Sequence, residues 1–88
     1  MIPDKIRVLL ADDHAVLRGG LRALLSLEPD MDVVGEVSTG EEAIERVRAL
    51  GPHVVVMDLA MPGMGGMEAT RQIMALGGGT RVLILTSH

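Results

Sequence analysis

A chain of 88 residues makes one small domain, and with 48 % apolar residues it carries enough hydrophobic side chains for a real core. It has no Cys, which removes disulfides and thiolate metal sites, and no apolar run near the ~20 residues that span a bilayer. Net charge is −4, and the eight Lys and Arg are scattered rather than gathered in the basic stripe of a nucleic-acid surface. This chain by itself is therefore read as binding neither nucleic acid nor membrane. Phe, Tyr and Trp are absent, so packing falls to Val, Ile, Leu, Ala and seven Met. The N-terminal apolar stretch runs into two aspartates where a secretory leader would carry small residues, so a cytoplasmic protein is expected.

Residues 6–11 (IRVLLA) form a short apolar run, the pattern of a buried strand. Leu17, Leu21, Leu24 and Leu25 then fall on one stripe of a helix, predicted from near His14 to Leu27 and stopped by Pro29. Gly19 and Gly20 lie inside it, and close packing against a sheet is the expected reason. Residues 32–37 read as a second strand, less apolar and so nearer an edge. Thr39 and Glu42 fit a capping box ahead of the stripe Ala43, Ile44, Val47, and Gly51-Pro52 ends that helix. Residues 53–57 (HVVVM) form a third strand, and the Gly-rich MPGMGG loop leads to a third helix near 66–76. Gly77–Gly79 terminate this helix, and residues 81–86 (RVLILT) form a fourth strand.

The order βαβαβαβ implies parallel strands with right-handed crossovers and helices on both faces. All strand C-termini then share one edge. Asp12 and Asp13 follow strand 1, Asp58 follows strand 3, and Thr86 closes strand 4. With strands 1 and 3 adjacent, the order is 2-1-3-4, and the carboxylates meet at the switch point where open α/β sheets bind ligands. Two carboxylates about 4 Å apart repel by roughly 4 kcal/mol at an effective dielectric near 20. Either one of them keeps its proton or a cation sits among them, and Mg²⁺ suits an all-oxygen site that retains several waters. Asp58 could then act as a carboxylate nucleophile toward phosphorus.

These segments, VLLADDH, VVVMDLAMPGMGG and VLILTSH in that order, resemble the receiver domain of bacterial two-component response regulators across the whole chain. ADDH, LRGGL and LTSH resemble the subfamily with a C-terminal LuxR/NarL-type helix-turn-helix. The resemblance implies a flavodoxin-like (CheY-like) doubly wound fold. It implies Asp58 as phosphoacceptor for a sensor histidine kinase, Asp13 as direct Mg²⁺ ligand, Asp12 as ligand through water, and the Ala60 carbonyl as a further ligand. It also implies Thr86 as the hydroxyl that contacts the phosphoryl group and shifts on activation. Such a protein is a phosphoacceptor that takes part in its own phosphorylation, not an enzyme in the usual sense.

The family fold has five strands and five helices, so residues 1–88 are expected to be a partial receiver domain ending after strand 4. Helix 4, strand 5 with its phosphoryl-pairing lysine, helix 5 and the DNA-binding output domain would then be missing. An apolar strand 4 left at the edge is a template for pairing, so self-association through strand 4 or by swapped elements is expected. The rival reading is a fragment that folds or oligomerises without phosphorylation.

Simpler roles compete residue by residue. Asp58 alone would be a turn-capping Asp; with Asp12 and Asp13 the functional reading is preferred. Asp12 or Asp13 is expected to cap helix 1 while lying near the cation. Thr86 also suits a strand, and Ser87 is read as non-functional. His14 and His53 are read as ordinary helix-start and strand-start residues, since no histidine pair has metal-binding i, i+4 spacing. Met57, Met61, Met64 and Met67 are expected to fill gaps around the Gly-rich loop. A dinucleotide-binding module would need glycines where the chain has ADDHAV. Phosphatases with an aspartyl nucleophile would place it after strand 1, with a second Asp two residues on.

Overall fold

The computed structural model describes residues 5–85; Thr86, Ser87 and His88 lie outside the described residues, as do positions 1–4. Seven elements alternate: β1 (Ile6–Ala11), α1 (Ala15–Ser26), β2 (Met31–Val37), α2 (Gly40–Leu50), β3 (Val54–Asp58), α3 (Gly66–Ala75) and β4 (Arg81–Leu85). All strand pairs are parallel, in the order β2-β1-β3-β4. The expected sheet order is therefore the observed one. β3 starts at Val54 rather than His53 and includes Asp58 as its last residue.

Local chemistry explains the sharpest boundaries. The Glu42 N–H donates to Thr39 Oγ1 at 3.2 Å, and Glu42 Oε1 reaches back to the Ser38 N–H and hydroxyl. The capping box at the start of α2 is thus formed, with the carboxylate one residue further back than the simplest version. At the other end Gly51 takes φ 54°, a left-handed conformation that glycine adopts without strain. The Arg7 guanidinium donates to the Leu50 and Gly51 carbonyls, so a strand residue covers the negative end of this helix. His53, expected to start the third strand, instead lies one residue before it, where its Nδ1 accepts the Arg7 N–H at 2.9 Å.

The sheet's two faces are filled unequally. Leu9, Ala11, Val55 and Met57 point to one face and are buried with Ala43, Ile44 and Val47 of α2 and with Ala69 and Ile73 of α3. Strand alternation sends Val8, Leu10, Val54 and Val56 to the other face. Here α1 packs over β1 and β2, and no residue of α1 is buried. Leu17 and Leu24 of its apolar stripe are 45 % and 63 % exposed. Beneath α1, Val8 and Leu10 are buried, and at its margin Arg18 and Arg22 both reach Glu36 of β2, at 3.0 and 2.6 Å.

The expectation for Gly19 and Gly20 is overturned. A Cβ placed at either position meets no atom within 4 Å, so neither glycine serves close packing against the sheet. Close approach occurs instead at Gly40, where α2 meets α3, and at Gly66. Met57 and Met61 are buried and Met64 packs on the core, as expected for gap-filling residues, whereas Met67 is 65 % exposed. β4 forms one edge of the sheet; its Val82 packs on the core, while Leu83 and Ile84 are exposed.

Candidate metal centre at the strand C-termini

Register brings the acidic residues together. Ala11 of β1 lies beside Met57 of β3, so the next residue of each strand, Asp12 and Asp58, emerges at the same edge. Both are almost fully buried, at 2 % and 3 % exposure. Asp12 is fixed by its backbone, since its N–H donates to the Val37 carbonyl at 3.0 Å and its carbonyl accepts from Arg18 Nη1. Asp58 Oδ1 accepts the Ala60 N–H at 3.1 Å, which sets the side-chain rotamer. Asp13 is exposed, with its Oδ1 3.3 Å from His14 Nδ1.

Neither Asp12 nor Asp13 caps α1, contrary to expectation. The N-cap is His14, whose side chain makes no capping bond. Asp12 Oδ1 accepts the His14 N–H at 2.8 Å instead, a local turn that takes the carboxylate away from the helix axis and toward β3.

His14 itself is the residue that sequence reasoning passed over. Its Nδ1 lies 2.8 Å from Asp12 Oδ1, 3.3 Å from Asp13 Oδ1 and 3.5 Å from Asp58 Oδ2. The hydrogen bond to Asp12, followed by the charge of Asp13, holds its pKa above the ordinary imidazole value. The one available signal was adjacency: a histidine directly after an Asp-Asp pair at a strand end cannot lie far from either. The i, i+4 criterion, which concerns pairs on a helix, had no bearing on it.

Asp12, Asp13, His14 and Asp58 each offer a ligand atom, and these atoms lie within 4.8 Å of one another. Asp12 Oδ2 and Asp58 Oδ2 are buried without a hydrogen-bond partner among the described residues. Buried oxygens in that condition are costly unless something positive meets them, so the donor set fits a divalent cation. Ala60, two residues past Asp58, is placed beside it by their hydrogen bond. Thr86 lies outside the described residues; β4 is described to Leu85, which pairs with Asp58 and accepts the Leu59 N–H at 3.4 Å.

The loop after Asp58 is shaped by glycine. A Cβ on Gly66 would sit 2.4 Å from the Asp58 carbonyl oxygen and 2.8 Å from Leu59 Cα, so only glycine lets α3 start this close to the site. Glu41 of α2 accepts the Met64 N–H at 3.4 Å and ties the loop to the helix layer. A shallow cavity of about 250 Å³ lined by Lys5, Arg7, Asp32 and His53 lies at the opposite edge and plays no part in this geometry.

Residues 8–88 match the family model described as the response regulator receiver domain. Over 82 residues the chain is 48 % identical to the transcriptional regulatory protein LiaR of Bacillus subtilis, covering 93 % of this chain and 39 % of that protein. It is 45 % identical over 83 residues to the response regulator UvrY of Escherichia coli K12, covering 94 % and 38 %. The chain thus spans about two fifths of the length of these curated relatives. Among solved structures, the signal receiver domain of the response regulator NarL from Mycobacterium tuberculosis superposes with a TM-score of 0.93 at 38 % identity, covering 98 % of this chain and 69 % of that one. A LuxR-family response regulator from Aurantimonas sp. SI85-9A1 gives 0.90 at 44 % identity, covering 97 % and 61 %. With its parallel 2-1-3-4 sheet and three intervening helices, the chain belongs to the response regulator receiver domain family.

Proposed function

We propose that Asp58 accepts a phosphoryl group from the phosphohistidine of a sensor kinase, in a site that holds Mg²⁺ through Asp13 and Asp58 directly and through Asp12 by way of water. One observation carries this reading. Asp58 is a buried carboxylate with one oxygen fixed by the Ala60 N–H and the other unpartnered, facing Asp12, Asp13 and His14. Oδ1 is oriented by the Ala60 N–H, Oδ2 faces the cation position, and the carboxylate is the nucleophile. As one carboxylate oxygen bonds to phosphorus, the P–N bond to the kinase histidine breaks, and the released imidazole takes a proton from solvent. A bound Mg²⁺ supplies positive charge to the carboxylates and the phosphoryl oxygens. The Ala60 carbonyl is assigned as a further ligand, and Thr86 as the hydroxyl that contacts the phosphoryl group.

In the whole protein, whose relatives are more than twice as long, phosphorylation would act on transcription through a DNA-binding segment beyond these residues. Such relays work in the cytoplasm; among the described residues no helix is long and apolar enough to cross a membrane. The exposed Leu83 and Ile84 on the β4 edge favour a second reading, in which the chain pairs with a second copy there and carries no phosphoryl chemistry. Incubation with Mg²⁺ and a small acyl phosphate, followed by intact mass spectrometry, separates the two. One added phosphoryl group on the parent and none on Asp58→Asn supports the first reading. No addition to a folded parent that light scattering finds dimeric supports the second.

A further inference from the structure

We propose that His14 is itself a cation ligand, which makes this a mixed nitrogen–oxygen site for transition-metal dications such as Ni²⁺ or Cu²⁺ as well as Mg²⁺. The inference rests on the reading that a cation sits among Asp12, Asp13 and Asp58, and adds a ligand and a metal class to it.

The argument is geometric. A metal at about 2.1 Å from each ligand separates neighbouring ligand atoms by about 3.0 Å in an octahedron and about 3.4 Å in a tetrahedron. His14 Nδ1 stands 2.8, 3.3 and 3.5 Å from one oxygen of Asp12, Asp13 and Asp58 respectively. These distances are close to the edge lengths of a coordination polyhedron with the imidazole nitrogen at one vertex. The 2.8 Å contact is a hydrogen bond to Asp12 Oδ1 while Nδ1 carries a proton, and ligation releases that proton to solvent. Two further observations point inward. Asp12 Oδ2 and Asp58 Oδ2 are buried and unpartnered, so the group holds two oxygens that no donor among the described residues meets. The His14 side chain is 53 % exposed, which leaves the nitrogen reachable from solution.

Ligand chemistry then decides which cations benefit. Imidazole suits Ni, Cu and Zn, whereas Mg²⁺ takes oxygen donors and keeps several waters. Three carboxylates alone would follow the general order of divalent affinities, in which late transition metals already bind more tightly than earlier ones. What His14 adds is a preference beyond that order, and this difference can be measured.

The test is calorimetric titration of the folded parent, His14→Gln and His53→Gln with Ni²⁺ and with Mg²⁺, together with electron paramagnetic resonance of the Cu²⁺-loaded proteins. His53 lies at the other end of the sheet and serves as the control. In His14→Gln the Ni²⁺-over-Mg²⁺ affinity ratio should fall by at least about tenfold, the lower end of what even an indirect partner of a metal ligand contributes. The nitrogen hyperfine coupling on Cu²⁺ should vanish there and persist in His53→Gln. An unchanged ratio in His14→Gln, or coupling that survives in it, overturns the proposal while leaving the carboxylate site intact if Mg²⁺ still binds. A parent that binds neither cation overturns the underlying site as well.

Discussion

On one side of the sheet, α2 and α3 close over Leu9, Val55 and Met57, each fully buried, and the helices contribute Ile44, Val47 and Ile73 to the same cluster. On the other side α1 lies over β1 and β2, where Val8 and Leu10 are buried, with its own leucines half in solvent and with Arg18 and Arg22 paired to Glu36 at its margin. The same kind of sequence signal, an amphipathic stripe, thus produces a fully packed helix in one place and in the other a helix that covers the sheet while its own side chains stay half exposed. A helix is buried only as deeply as its neighbours allow. α2 and α3 pack on each other as well as on the sheet, whereas among the described residues no helix flanks α1. The candidate site lies between these regimes: Asp58 ends a strand of the packed layer, and His14 is the N-cap of the half-covered helix.

The largest expected contrast is in core truncation. Leu9→Ala should cost about 2–5 kcal/mol, because the packed face cannot collapse into the space, while Leu24→Ala should stay within about 0.5 kcal/mol. Urea unfolding followed by far-ultraviolet circular dichroism measures both, in a protein with no aromatic fluorophore. Equal losses at the two positions would erase the distinction between the faces.

Glycine substitutions give the next contrast. Gly66→Ala forces a carbon against the Asp58 carbonyl and should destabilise by more than about 1 kcal/mol, whereas Gly19→Ala, with open space around it, should stabilise by up to about 1 kcal/mol through helix propensity. Gly66→Ala should also weaken Mg²⁺ binding, since Asp58 would move with its carbonyl; calorimetric titration reads this directly.

At the boundary itself, Mg²⁺ at ten times its Kd should raise stability by about 1.4 kcal/mol in the parent. Asp58→Asn should lose most of this gain. If the thermal midpoint rises equally in both proteins, Mg²⁺ acts elsewhere.

The smallest effect belongs to the ion pairs that Arg18 and Arg22 make with Glu36. The hydrogen bond from Arg22, reinforced by Arg18, holds the Glu36 carboxyl below its ordinary value. A lowered folded-state pKa means stabilisation that is present above the unfolded value of 4.5 and lost as pH falls through the folded value. Glu36→Gln should therefore cost at most about 1 kcal/mol near neutral pH, less in high salt, and flatten the acid limb of the stability curve. Denaturation midpoints at several pH values, with and without added salt, test the sign.

Several features of this molecule could be read along the chain because they are written in local periodicity. Strand and helix lengths, the capping box of Thr39 and Glu42, the stop at Gly51 and the parallel order all follow from patterns within a few residues of one another. The gathering of Asp12, Asp13 and Asp58 follows in turn from the parallel order, since parallel strands bring the residues that end them to one edge. Other features depend on distances between segments far apart in sequence, and no local pattern carries those. Gly19 and Gly20 looked like packing glycines, while the glycine that a close approach requires is Gly66, a difference set by where α3 meets the end of β3. The stripe on α1 announced a helix but not how little of it would be covered. The ring of His14 became part of the acidic group only because register placed Asp58 opposite Asp12, within reach of a side chain whose own neighbours in sequence showed one half of the site.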